Sequence, residues 1–181
     1  MIFKAIEFAT RAHSGQYRKG TKIPYIVHPL AVGQILIEHD CSVQVVIAGI
    51  LHDTLEDTRV TIGEINDLFG KEIADLVQAV SEPNRSDYTW ENRKSHTINQ
   101  LKTALPEQLL LTLADKFDNI RSISRDYEKW GDKLWKRFNR PKEKQKWYYE
   151  TLADIFSERL SHDGALILVR RFKTEVDRIF K

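Results

Sequence analysis

The sequence predicts an all-α protein, one helical bundle of about eight to ten helices across residues 1–181. Three observations carry that expectation. Glycine and proline are scarce, at 8 and 5 in 181 residues, while helix-forming residues dominate. Apolar residues recur at helical spacing along most of the chain. No stretch alternates apolar and polar residues as a half-buried strand would. An apolar content of 41% and a charged content of 30% suit a single domain large enough to bury a core.

Taken in order, residues 2–13 place Ile2, Ala5, Ile6 and Ala9 on one helical stripe, and Gly15 suits its end. A basic loop from Tyr17 to Tyr25 follows, punctuated by Gly20 and Pro24. Pro29 opens a helix to about His39, proline being favoured where no N–H is needed. Ser42 is a good N-cap for the next helix, expected to run unbroken to about Asp57 through the apolar stretch Val45–Leu51. Thr61 and Glu64 form a capping box, opening a short helix that stops at Phe69-Gly70. Lys71 to Val80 is amphipathic. Ser81 to Thr89 has loop composition and is the segment expected to move near a site. Trp90 to Leu105 reads as a helix, and Pro106 opens a long one that Gly131 stops. Residues 133–160 read as one or two helices around Arg140-Pro141, and Asp163 to Phe180 as an amphipathic C-terminal helix. The Trp/Tyr-rich segment 130–149 reads as core or as a homodimer face rather than as a base-stacking platform.

Composition narrows the function classes. Cys41 is alone, so no intrachain disulfide forms and a reducing, cytoplasmic location is expected. The N-terminus carries no signal-type apolar core, and no run reaches the ~18 apolar residues of a membrane span. The net charge of +2 conceals a segregation. Acids crowd residues 53–82, whereas Arg11, Arg18, Lys19 and Lys22 stand together without one. Basic surface beside an acidic centre suits a small anionic substrate. No basic-aromatic motif of a nucleic-acid reader is present, so nucleic acid is not an expected partner.

Chemistry concentrates in Leu51-His52-Asp53-Thr54-Leu55-Glu56-Asp57-Thr58. Charged groups at the end of a buried helix are costly unless paired or bound to a metal. On an unbroken helix, Glu56 would share a face with His52 and Asp53. The bland alternative is an acidic helix end. Two further blocks weigh against it: His28 before Pro29, and Asp115 with Asn119 one helical turn on. Together His28, His52, Asp53 and Asp115 offer two imidazoles and two carboxylates. That set suits Mn²⁺, Fe²⁺, Co²⁺ or Zn²⁺ better than Ca²⁺ or Mg²⁺, and leaves positions open for water and substrate.

These residues resemble the H…HD…D signature of the HD phosphohydrolase superfamily. More narrowly, Ala12-His13-Ser14-Gly15-Gln16-Tyr17-Arg18-Lys19, Pro24-Tyr25-Ile26-Val27-His28-Pro29, the block around His52-Asp53, and Leu113-Ala114-Asp115-Lys116-Phe117-Asp118-Asn119-Ile120-Arg121 resemble the hydrolase domain of the RelA/SpoT alarmone enzymes. The resemblance covers about residues 4–125, leaving 130–181 as a helical extension, and is closest to free-standing small alarmone hydrolases. It implies an HD-type bundle that removes the 3′-pyrophosphate from ppGpp and pppGpp with Mn²⁺. It makes His28, His52, Asp53 and Asp115 the metal ligands, and Glu56 and Asp57 the acidic pair that activates water. It assigns Arg18 and Lys19 to base and phosphate, and Tyr25 and Asn119 to the substrate's remaining contacts. There are two departures. The loop Gly20-Thr21-Lys22-Ile23 is one residue longer than the pattern, which bears on the register of Arg18. Phe117-Asp118 stands where the family has a Leu-His type of pair. Two alternatives stay open: an HD phosphohydrolase for another phosphorylated nucleotide, and a nucleotide-sensing module without turnover. The latter would lack a ligand or the acidic pair, and neither is missing here.

Overall fold

The computed structural model describes residues 1–82, 88–160 and 163–181. It is all-helical. The elements are α1 (Ile2–Ala12), α2 (Val27–Glu38), α3 (Val43–Leu51), α4 (Thr54–Asp57), α5 (Ile62–Phe69), α6 (Lys71–Val80), α7 (Trp90–Leu101), α8 (Pro106–Trp130), a 3₁₀ segment (Gly131–Arg137), α9 (Lys142–Arg159) and α10 (Asp163–Phe180). Among the described residues the only β feature is an isolated bridge between Tyr17 and Pro24. No helix is long and apolar enough to cross a membrane. Part of the segment expected to move, residues 83–87, lies outside the described residues.

The bundle is built around α3. Every residue from Val45 to Leu51 is buried, and α3 packs against α1, α2, α6 and α8. A helix apolar on all sides has no solvent face to offer, so it takes the centre. Its contact with α2 is close because both helices carry glycine there. A Cβ on Gly33 would strike Ile50, and one on Gly49 would strike Leu36. The long α8 lies against α2, α3 and α6 on one side and α10 on the other. It therefore presents Asp115 and Asn119 to the ends of α2 and α3.

Local signals behave as read. Ser42 caps α3 by accepting from the Val45 N–H, and the Thr61–Glu64 capping box is complete. The Trp/Tyr-rich segment is divided: Tyr148 and Tyr149 are buried, and Trp135 packs against Phe138 and Phe180.

Two helices differ from expectation. The helix expected to continue to Asp57 breaks at His52-Asp53. There, side chains take carbonyls that the next turn would use. His52 Nδ1 donates to the Gly49 carbonyl at 2.7 Å, and Thr54 Oγ1 to that of Leu51 at 2.6 Å. The position of Glu56 beside His52 and Asp53 is thus set by a turn rather than by one helical face. Likewise α7 ends at Leu101, not Leu105. Pro106 holds Leu105 extended, at φ −70° and ψ 157°. The Arg159 guanidinium takes over the released carbonyls of Leu101, Lys102 and Ala104.

Candidate active site and metal centre

His28 enters from the first turn of α2, His52 and Asp53 from the break after α3, and Asp115 from the middle of α8. His28 and His52 are only 2% and 4% exposed, so neither ring can rely on water for a partner. The ring nitrogens facing away from the centre are committed. His52 Nδ1 donates to the Gly49 carbonyl, and His28 Nδ1 donates to Asp118 Oδ2 at 2.7 Å. A neutral imidazole bonded this way carries its lone pair on Nε2. Both Nε2 atoms point at carboxylates. His52 Nε2 lies 3.1 Å from Asp53 Oδ2 and 3.8 Å from Asp115 Oδ1. His28 Nε2 lies 3.5 Å from Asp53 Oδ2 and 3.2 Å from Asp115 Oδ1.

Lone pairs therefore face lone pairs, and His52 Nε2 is buried without a hydrogen-bond partner. Only a proton or a metal cation resolves such an arrangement. His28, His52 and Asp53 each bring a ligand atom to within 4.8 Å of the others, so these residues fit a divalent ion. Without one, burial works against charging the rings, yet Asp115, Asp118 and Asp53 hold the His28 pKa above its ordinary value. His52 is raised further, the neighbouring Asp53 outweighing burial.

The carboxylates are braced in turn. Asp53 accepts from the Tyr25 hydroxyl at 2.6 Å, and burial together with Asp53 keeps that phenol protonated. Asp115 accepts from Asn119 Nδ2 and from Lys116 Nζ, each at 2.6 Å. Glu56 accepts from the Glu82 N–H at 2.7 Å. Burial, with the Asp53 charge nearby, pushes the Glu56 carboxyl up to about 7.

These groups open into one cavity of about 400 Å³ that also reaches Lys19, Tyr25 and Asn119. Cationic and aromatic groups also line it: Lys116 beside Asp115, then Arg93 and Lys94, with Trp90, Phe138 and Tyr148. Lys94 sits 4.9 Å from the Tyr148 ring centroid. The Glu82 carboxylate accepts from Arg93 at 3.0 Å and Lys94 at 2.6 Å. Burial would raise that carboxyl, but Lys116, Lys94 and Arg93 bring it below its ordinary range.

Of the residues expected at the site, Asp57 and Arg18 do not line this cavity. Asp57 borders a neighbouring depression with Gln16 and Thr58, and its backbone carbonyl accepts from Gln16. Arg18 lies behind the wall, bonded to Asp118 and Asn119. The longer loop closes as a tight hairpin, with Arg18 N–H donating to the Ile23 carbonyl and Gly20 at φ 72°. Glu82, Lys116 and Tyr148 were not picked out from the sequence. Lys116 adjoins Asp115 and was within reach of motif reading. Glu82 and Tyr148 come from a loop and from an aromatic run, and only packing brings them in.

Comparison with known proteins accords with this geometry. An HD-domain family model matches residues 5–156. A guanosine-3′,5′-bis(diphosphate) 3′-pyrophosphohydrolase of Aquifex aeolicus is 41% identical over 123 residues, covering 67% of this chain and 18% of that protein. The chain spans less than a fifth of the length of several such relatives. The human guanosine-3′,5′-bis(diphosphate) 3′-pyrophosphohydrolase MESH1 is 35% identical over 127 residues, which are 68% of this chain and 70% of that protein. A crystal structure from Listeria monocytogenes superposes with a TM-score of 0.76 at 35% identity, over 87% of this chain and 96% of that one. A metazoan ortholog of SpoT that hydrolyzes ppGpp shares the fold, with a TM-score of 0.77 at 22% identity over 99% and 96% of the two chains. With the family model matching most of its length, this chain belongs to the HD-domain family.

Proposed function

We propose that this chain is a metal-dependent hydrolase that removes the 3′-pyrophosphate from ppGpp and pppGpp. One observation carries the reading: lone pairs of His28, His52, Asp53 and Asp115 converge in a cavity that Arg93, Lys94 and Lys116 also line. A bound cation together with fixed cations suits a substrate with a terminal pyrophosphate. The activity named for the human and Aquifex relatives supports the same choice.

In this reading His28, His52, Asp53 and Asp115 hold the divalent ion, which is Mn²⁺. When bound, the ion supplies Lewis acidity and lowers the pKa of a coordinated water. Glu56 takes the proton of the attacking water. A carboxyl near pKa 7 is matched to that task at neutral pH, and the Glu82 N–H keeps it aimed. Asp57, at the end of α4, does not line the cavity, so the proton falls to Glu56. Oxygen of that water joins the phosphorus attached to the 3′ oxygen and the bond to the 3′ oxygen breaks. The 3′ oxygen takes up one proton and leaves as the nucleotide's hydroxyl, and pyrophosphate departs. Lys19, Arg93 and Lys94 meet the charge of the pyrophosphate, Arg as a fork and Lys as a point charge. Tyr25 and Asn119 face the sugar, and Arg18 flanks the base.

A second reading, hydrolysis of a different phosphorylated nucleotide, is favoured by one observation. Both Arg18 amino groups are already bonded to α8, which leaves base selection to other residues. Incubating the protein and Mn²⁺ with a panel of guanine and adenine nucleotides, and separating pyrophosphate from orthophosphate, tests both. The first reading expects one pyrophosphate per ppGpp consumed. Release of orthophosphate, or no turnover of ppGpp beside turnover of another nucleotide, overturns it.

A further inference from the structure

Arg18 is joined to two of the proposed ligands at once. Its Nη1 donates to Asp118 Oδ2 at 2.8 Å, and the same oxygen accepts from His28 Nδ1 at 2.7 Å. Its Nη2 donates to Asn119 Oδ1 at 3.0 Å, and the amide of Asn119 donates to Asp115 Oδ1 at 2.6 Å. His28 Nε2 lies 3.2 Å from that Asp115 oxygen, so the five residues close a ring. The polarity of the ring is unambiguous. Guanidinium groups only donate, which makes the Asn119 oxygen the acceptor and turns its NH₂ toward Asp115. Asp118 must accept, which makes His28 Nδ1 the donor and leaves Nε2 a lone pair. One planar fork thereby sets both the tautomer of His28 and the rotamer of Asp115.

The ring is shielded. Asp118 and Arg18 side chains are 7% and 16% exposed, so their ion pair is not diluted by solvent as a surface pair would be. Asp118 is also one of the two positions where the sequence departs from the pattern it resembles. A carboxylate there supplies an acceptor that serves the imidazole and the guanidinium together.

We propose that Arg18 is a positioning residue for the metal centre, acting through Asp118 on His28 and through Asn119 on Asp115, before any nucleotide arrives. This rests on the metal reading above and goes beyond it, since Arg18 enters that reading only as a neighbour of the base. Arg18→Lys keeps the charge but cannot span both acceptors. Asp118→Asn keeps the shape but removes the negative charge that both donors meet on one oxygen. Outer partners of metal ligands typically contribute ~10–100-fold in affinity.

The test is Mn²⁺ binding to chelator-stripped protein without nucleotide, followed by electron paramagnetic resonance of the free ion. Far-UV circular dichroism and thermal unfolding in EDTA establish that each variant is folded. Wild type is expected to bind Mn²⁺, with Arg18→Lys and Asp118→Asn each weaker by ~10-fold or more. The double variant is expected to lose no more than about the worse single one, because both break the same circuit. If wild type binds Mn²⁺ and both folded variants bind it equally well, Arg18 has no part in the centre and this inference fails alone. If wild type itself binds no Mn²⁺, the metal reading falls and takes this inference with it. A loss confined to the KM for nucleotide also overturns it, because Arg18 then acts on substrate only.

Discussion

The backbone N–H of Glu82 donates to the Glu56 carboxylate at 2.7 Å, tying the end of α6 to the four-residue helix α4. Glu56 is thus oriented by a main-chain group that no substitution at position 82 other than proline removes. The same burial that fixes the carboxyl raises its pKa from 4.5 to about 7.

That shift has a sign. In the folded chain Glu56 keeps a proton over a pH range in which the unfolded chain has lost it. Its contribution favours folding fully below pH 4.5 and is lost as pH rises through about 7. In EDTA, wild type is expected to lose on the order of 3 kcal/mol from this group between acid and mildly alkaline pH. Glu56→Gln, which does not titrate, is expected to escape that loss. Urea unfolding of both proteins across this range measures the difference, which should widen as pH rises.

Asp53 and Glu56 are expected to divide binding from turnover. Asp53→Ala removes a ligand atom from the His28–His52–Asp53 group, and Mn²⁺ affinity is expected to fall by more than ~100-fold. Glu56→Gln is expected to leave Mn²⁺ affinity within a few-fold while turnover of ppGpp drops by ~10²–10⁴. Parallel Mn²⁺ titrations and pyrophosphate assays decide it. Equal loss of metal in both variants contradicts the division.

Mn²⁺ is expected to stabilise the folded chain by mass action. At a free concentration of about one hundred times its Kd, the gain is ~2.7 kcal/mol. Thermal unfolding with and without the ion reads it directly, and Asp53→Ala should show almost none of the gain.

Gly49 and Gly63 make a matched pair. A methyl group at Gly49 meets Leu36 and Val32 across the α2–α3 contact, so Gly49→Ala is expected to cost ~1–3 kcal/mol by overpacking. It should also weaken Mn²⁺ binding, because α2 and α3 carry His28 and His52. A methyl group at Gly63 meets only Thr61 Oγ1, at 3.9 Å and without strain, so Gly63→Ala in α5 is expected to stabilise by ~0.4–1 kcal/mol. Denaturant midpoints of the two variants should move in opposite directions.

Much of this was legible along the chain. Ser42, the Thr61–Glu64 box and Pro106 mark helix starts through hydrogen bonds made within four residues, which is the range a sequence displays. His28, His52, Asp53 and Asp115 were legible for a different reason. Ligand chemistry admits few residue types, and buried helices rarely carry them otherwise. The break at His52-Asp53 was hidden, because it depends on where the His52 ring and the Thr54 hydroxyl find carbonyls. The end of α7 was hidden likewise, being completed by Arg159 from a distant helix.

By itself, then, the sequence determined the helical class, most helix boundaries and the four side chains proposed to hold a metal, since each follows from local hydrogen bonding, periodicity or donor chemistry. Tertiary structure alone decided what surrounds those four. Glu82 beside Glu56, Lys94 over Tyr148, and Arg18 bridging Asp118 and Asn119 join residues 26 to 101 positions apart or brought together across separate helices. Such pairings depend on how α3 and α8 pack, and packing geometry is a property of the assembled bundle that no stretch of chain encodes alone.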